Sequence, residues 1–191
     1  MDLLWTGTDV LFMQKYPGGR YNVKVFIFRI LVAVLDRWFI ERNYVIAEHL
    51  KKELHLTKPV LLYSPPMELK VYPKKEHYGF NILYYLPKKK NQKFTDWLYG
   101  ADIIRDLMNA RRFYFPYDVD WYRVDGTQDM ADIYPIVDFY LRPNRHDGSP
   151  YMIKECEANN IPYYWSKENP DIIDAYEAIR GAYDNYSHRG G

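Results

Sequence analysis

Asp147 and Glu155 stand eight residues apart in a stretch that also holds Arg142, Asn144, Arg145, His146, Gly148 and Ser149. Pro150 follows, a residue that the first turn of a helix accepts, so the stretch reads as a polar loop opening a helix. A helix N-terminus offers unsatisfied backbone N–H groups and partial positive charge, both suited to a phosphate. Gly148 lets that backbone be approached closely. At a rise of about 1.5 Å per residue, Glu155 lies roughly 9 Å down the helix from Ser149. Carboxylates accept hydrogen bonds from paired hydroxyls, as on a ribose or a pyranose. A diphosphate at the helix start would then lie between one carboxylate near its reactive end and another farther along, which is a site for a phosphorylated sugar. The plainer alternative makes Asp147 a helix cap and Glu155 a solvated face residue. Two acids at this spacing do not outweigh that alternative by themselves.

The elements that must position these residues follow from periodicity and turn chemistry. The spacing predicts strands at Leu3–Trp5, Pro59–Tyr63 (a buried one), Phe80–Leu86, Arg112–Phe115, Trp121–Val124, Val137–Leu141 and Ile161–Trp165. Helices are expected over residues 25–42, 48–54, 94–110, 129–134, 150–159 and 170–183. Strand and helix alternate through 80–183, which argues for βαβ units and a parallel sheet. Ligands in such sheets bind outside the carboxyl ends of the strands, so the loop after 137–141 is the first place to look. Residues 65–78, with three prolines and three lysines, read as a linker. The expected domains are 1–78 and 79–191.

Composition narrows the classes. The chain has 191 residues, 26 Lys plus Arg against 25 Asp plus Glu, and a net charge of +1. That balance removes the main electrostatic argument for nucleic-acid binding, which the aromatic and basic run Arg111–Phe115 does not restore. Cys156 is the one cysteine, so no internal disulfide or multi-cysteine zinc site can form. The N-terminus lacks the pattern of a signal peptide. The most apolar region, Val25 to Ile40, is interrupted by Arg29, Asp36 and Arg37 and falls short of the roughly 20 apolar residues of a bilayer span. A cytoplasmic protein is expected. The 25–42 helix has two readings: a core-facing helix, which helical periodicity favours, and an interfacial helix with Arg29, Arg37 and Arg42 near lipid head groups.

The residues around the two acids carry more information than their spacing. Leu141-Arg142-Pro143-Asn144-Arg145-His146-Asp147-Gly148, then Glu155 and Ile161-Pro162, resemble the donor-site segment of GT-B glycosyltransferases of the family 4 type. Those enzymes carry two acids with seven residues between, followed by a Gly-x-Pro strand entry. Here Asp147 replaces the commoner Glu and Asn160 stands where glycine is usual; asparagine still tolerates a left-handed backbone. Trp5-Thr6-Gly7-Thr8-Asp9-Val10 resembles an acceptor-side motif of related enzymes, Ile46–Leu54 the strand and helix after it, and Tyr84-Tyr85-Leu86-Pro87 the start of the donor domain. Coverage is nearly the whole chain, with the first domain much reduced.

The resemblance implies an α/β, GT-B-like enzyme with a Rossmann-like parallel donor domain and a reduced N-terminal α/β domain. It would move a sugar, with retention, from a UDP- or GDP-sugar to a glycan, protein or lipid acceptor, without a cofactor or obligate metal. Glu155 would bind the ribose hydroxyls and Asp147 those of the transferred sugar. The backbone at Gly148 and Ser149, with Arg142 and Lys88, would meet the diphosphate. Gly7 and Asp9 would face the donor. From the residues rather than the resemblance, His146 reads as a general base or ligand, with a hydrogen-bond donor beside the phosphate site as the plainer role. Such enzymes stabilise the departing diphosphate by fixed positive charge.

Two other functions compete. Asp118-Val119-Asp120 is the Asp-x-Asp with which GT-A transferases hold Mn²⁺ or Mg²⁺. Alternatively the shortened first domain marks a non-catalytic nucleotide-sugar-binding subunit, or an enzyme completed by a homodimer or partner subunit, since transfer needs donor and acceptor clamped together. A lipid acceptor would suit peripheral membrane contact through the 25–42 helix.

Overall fold

The structure, a computed structural model, describes residues 2–5, 23–45, 48–54, 56–63, 68–109, 119–147, 150–166 and 169–187. Gly7, Asp9, Arg111–Phe115, Asp118, Gly148 and Ser149 lie outside the described residues. The chain forms two compact units, one from Met1–Met67 with Asp147–Ser149 and the other from Glu68–His146 and Pro150–Gly191. Each is α/β with an all-parallel sheet.

The first unit contains β1 (Asp2–Trp5), α1 (Val23–Trp38), β2 (Arg42–Val45), α2 (Glu48–Glu53) and β3 (Val60–Leu62). Its sheet runs β1-β2-β3, with Trp5 opposite Val45 and Tyr44 opposite Leu61. Trp5, Val32, Val45, Leu50 and Leu54 form its core. A chain of polar groups crosses it, with Asn43 and Asp36 buried. Trp5 Nε1 donates to Asn43 Oδ1 (2.9 Å), Asn43 Nδ2 to Asp36 Oδ1 (2.9 Å), and the Thr57 amide and hydroxyl both to Asp36 Oδ2 (2.6 Å). Burial raises the Asp36 pKa, but the bonds from Thr57 and Asn43 outweigh it and hold the carboxyl below its ordinary value. The strand expected at Pro59–Tyr63 is present in part but not buried: Leu61 and Leu62 are exposed on the edge strand β3. The 25–42 helix stops at Trp38, and Arg42 opens β2 instead.

The second unit contains β4 (Phe80–Tyr85), α3 (Gln92–Leu98), α4 (Ala101–Asn109), β5 (Val119–Val124), α5 (Met130–Ile133), a 3₁₀ turn (Tyr134–Ile136), β6 (Phe139–Arg142), α6 (Tyr151–Ala158), β7 (Tyr163–Trp165) and α7 (Ile172–Ser187). Strand order is β5-β4-β6-β7, every pair parallel. Residues alternate between faces at the strand period of two. Phe80, Ile82, Phe139 and Leu141 pack on α4 and α7 through Ile103, Leu107, Ala175 and Ile179. Leu83 and Tyr140 face the other way, toward Tyr134, Ile153 and Cys156. A sheet covered on both sides explains the unbroken apolar runs that mark these strands in the sequence.

The 94–110 helix is two helices. Gly100, at φ +66°, separates α3 from α4, and a Cβ there would lie 2.1 Å from the Pro143 carbonyl oxygen. Left-handed backbone and close approach together demand glycine at this position. Residues 68–78, read as linker, lie against the second unit: Asn159 Oδ1 accepts from the Tyr72 amide (2.6 Å), and the Lys75 amide donates to Pro135 O (2.9 Å). Lys74 and His77 both reach the buried Asp138 carboxylate, at 3.1 and 3.3 Å. Asn160 takes φ +53°, the left-handed conformation expected where asparagine stands for glycine.

Candidate functional site

β4 is followed by β5 on one side and flanked by β6 on the other, so the direction of strand addition reverses between β4 and β6. In an open parallel sheet the crevice beyond the carboxyl ends at such a reversal is where ligands bind. Two segments border it: Leu86 to Asn91 after β4, and Pro143 to Asp147 after β6.

Arg142, the last residue of β6, lies across this reversal. Its guanidinium carbon is 5.8 Å from the ring centroids of both Tyr85, at the end of β4, and Tyr99, just after α3. The two rings meet edge to face at 5.4 Å. Arg142 Nη1 donates to the Tyr140 hydroxyl (3.0 Å). Only 7% of Arg142 is exposed, so a permanently charged group is held largely out of water at the head of the crevice. Cation–π contact offsets part of that desolvation.

The loop after β6 is clamped from the α3–α4 side. Pro143 sits on Gly100. The Arg145 amide donates to Leu98 O (2.9 Å), and its guanidinium bonds Trp97 O (2.7 Å) and both Asp102 oxygens (2.8 and 2.6 Å). Arg145 therefore fixes the loop and is committed to Asp102. The Arg145 hydrogen bonds hold the Asp102 carboxyl below its usual range, against an opposing effect of burial. Asn144 and His146 are buried in the same loop, and Asp147 is half-buried.

Beyond the loop, Pro150 is the N-cap residue of α6. Asp147 precedes it by three positions and is not the cap residue of α6, so that plainer reading of Asp147 does not hold. In the first turn of α6 the Ile153 amide donates to Pro150 O (3.2 Å), and the amides of Tyr151 and Met152 precede any intrahelical acceptor. Glu155 is half-exposed on the same helix, and its Oε2 accepts from the Tyr134 hydroxyl (2.8 Å). Tyr134 is 2% exposed; burial and then the Glu155 bond push its phenol far above the ordinary range, so it stays a donor. Burial likewise raises the Cys156 thiol. With 0% exposure it is a core residue rather than a nucleophile.

The structure thus brings Arg142, Asn144, Arg145, His146 and Asp147 into one loop at the carboxyl end of β6, with α6 and Glu155 following. Lys88 is placed differently. It is well exposed and its Nζ stands 3.5 Å from Asp125, on the β5 side of β4. Asp120 is exposed near the start of the edge strand β5, at the end of the sheet opposite the crevice. Among the described residues, no group of three or more His, Cys, Asp or Glu side chains is arranged to hold a metal ion.

Sequence reasoning missed Tyr85, Tyr99 and Tyr134 as members of the site and Asp102 and Gly100 as its supports. Tyr85 falls within Tyr84-Tyr85-Leu86-Pro87 but carries no chemical signal in sequence. The Gly100 signal was present, a glycine inside a helical pattern, and marked a break for close backbone approach. No protein-family model and no curated protein matches the chain.

Proposed function

We propose that the second unit binds the nucleoside diphosphate of a sugar nucleotide in the β4–β6 crevice, and that the chain is a GT-B-like glycosyltransferase. The observation that carries this reading is the buried Arg142, held across the strand-order reversal by Tyr85 and Tyr99 immediately before the loop into α6. A permanent cation in a low-dielectric setting, on the strand that leads into a helix N-terminus, is suited to receive a diphosphate.

In this reading Arg142 and the start of α6 hold the diphosphate and stabilise its charge as it departs. Glu155, fixed by Tyr134 at Oε2, presents Oε1 to the ribose hydroxyls. Asp147 meets hydroxyls of the transferred sugar, and His146 donates a hydrogen bond near the reacting oxygen. Arg145 acts at one remove, as a positioning residue for the loop. Fixed charge does the work that a metal does in other transferases, and transfer proceeds with retention to a glycan, protein or lipid acceptor.

Calorimetric titration of UDP, GDP and their sugar conjugates, with and without Mg²⁺, tests the reading. One nucleotide should bind without metal, and Arg142→Met should weaken it by about tenfold or more, the loss of a charge-assisted contact. Absence of binding by every nucleotide would overturn the donor site. Binding that needs Mg²⁺ and ignores Arg142→Met would move the site toward Asp118 and Asp120. Release of free or transferred sugar from the bound donor separates an enzyme from a binding subunit.

A further inference from the structure

Helix α1 has two apolar faces, and among the described residues only one of them is covered. Val32 and Asp36 are buried, with Phe28 packed beside the core of the first unit. On the outward side Phe26, Ile27, Ile30, Leu31, Val34 and Trp38 are each between 46% and 73% exposed. Their steps of three and four place them in a continuous stripe along the 16-residue helix, about 24 Å long. Phe39, 61% exposed, extends the stripe past the helix end. Scattered exposed apolar residues are ordinary, but a continuous stripe of this kind marks an interaction surface.

Charge identifies the occupant. The one acid of α1, Asp36, is turned inward to Asn43 and Thr57. Arg37, which is exposed, lies at one border of the stripe and stands over the Trp38 ring at 6.0 Å. An apolar stripe with a cationic border, no outward acid and tryptophan at its end is complementary to an anionic lipid surface. A second copy docked through the same face would bring another Arg37 and no outward acid of α1 to answer it. No helix among the described residues is long and apolar enough to cross a membrane. We propose that α1 lies in the plane of an anionic membrane, apolar stripe inward and Arg37 at the phosphates. This inference rests on the first unit alone and is independent of the donor site.

The test is cosedimentation of the full chain with vesicles of dioleoyl-phosphatidylcholine and of an equal mixture with dioleoyl-phosphatidylglycerol, at low and high salt. The intact chain should sediment with the mixed vesicles, less with the neutral ones, and be released by salt. Ile30→Glu/Val34→Glu, both on the exposed side, should keep the wild-type circular dichroism and melting transition and lower vesicle affinity about tenfold or more. Arg37→Gln should reduce the preference for phosphatidylglycerol. No binding by the folded wild-type chain, or binding that the double glutamate variant leaves unchanged, would overturn the proposal. So would a dimer in sedimentation velocity that the same variant dissolves while vesicles remain unbound, which would make the stripe a contact between copies.

Discussion

The Tyr134 hydroxyl donates to Glu155 Oε2 at 2.8 Å, and Tyr134 is buried where Glu155 is not. A core phenol thus sets the rotamer of a carboxylate that would otherwise sample several. Orientation by a buried neighbour is what a binding carboxylate needs, because freezing it beforehand spares that cost on binding.

Two variants separate holding from binding. Tyr134→Phe removes one hydrogen bond to a charged group and should cost about 1–3 kcal/mol of stability, with nucleotide affinity reduced only a few-fold. Glu155→Gln keeps the shape and an acceptor for Tyr134, yet should weaken a ribose-bearing ligand by about tenfold. Urea denaturation and calorimetry on the same samples check both. Equal effects of the two substitutions on affinity would place Glu155 in the fold and not in the site.

Gly100→Ala tests the clamp on the loop after β6. The new Cβ meets Pro143 O at 2.1 Å and the backbone is at φ +66°, so strain and clash add. A loss of about 2–4 kcal/mol in the second unit is expected. Any folded fraction should bind nucleotide less well, because Pro143 follows Arg142 directly. A variant as stable as wild type would show that the loop yields freely.

Asp36 plays a corresponding part in the first unit. Asp36→Ala would leave the Thr57 amide and the Asn43 side chain without their acceptor inside the protein. The expected cost is about 2–4 kcal/mol, seen as a lower urea midpoint with the slope unchanged. Vesicle binding through the opposite side of α1 should survive in the folded fraction.

How much of this was legible in the sequence depends on how local the cause is. The strands of the second unit announce themselves, because a sheet buried on both faces needs unbroken apolar runs such as Phe80–Tyr85 and Phe139–Leu141. The polar loop from Arg142 to Asp147 was visible for the opposite reason, too many charged groups to be core. Asp36 read as an interruption of an apolar run, since its partners Asn43 and Thr57 are 7 and 21 positions away. Arg145 looked like one more cation for the site, and only the fold brings Asp102, 43 positions earlier, beneath it. Tyr134 had no chemical neighbour in sequence; its role comes from α6 packing over it. The uncovered side of α1 was half legible: periodicity shows apolar residues, but not which of two apolar faces the sheet takes.

The Arg145–Asp102 pair gives the loop a predictable response to acid. Arg145 holds the folded-state pKa of Asp102 below its unfolded value, so the stabilisation is complete above the unfolded pKa and disappears as pH falls through the folded one. Asp102 is 55% exposed, so screening keeps its contribution to under about 1 kcal/mol of global stability. Its effect on the loop should be larger, because Arg145 joins both Trp97 and Asp102 to the segment that carries His146 and Asp147. Asp102→Asn should therefore change the urea midpoint little at neutral pH while weakening nucleotide binding several-fold. The gap between wild type and variant should close as the solution is acidified below the ordinary aspartate range. Calorimetric affinities of both proteins across that range are the check. A gap that stays constant with pH would mean that the shape of Asp102, and not its charge, positions the loop.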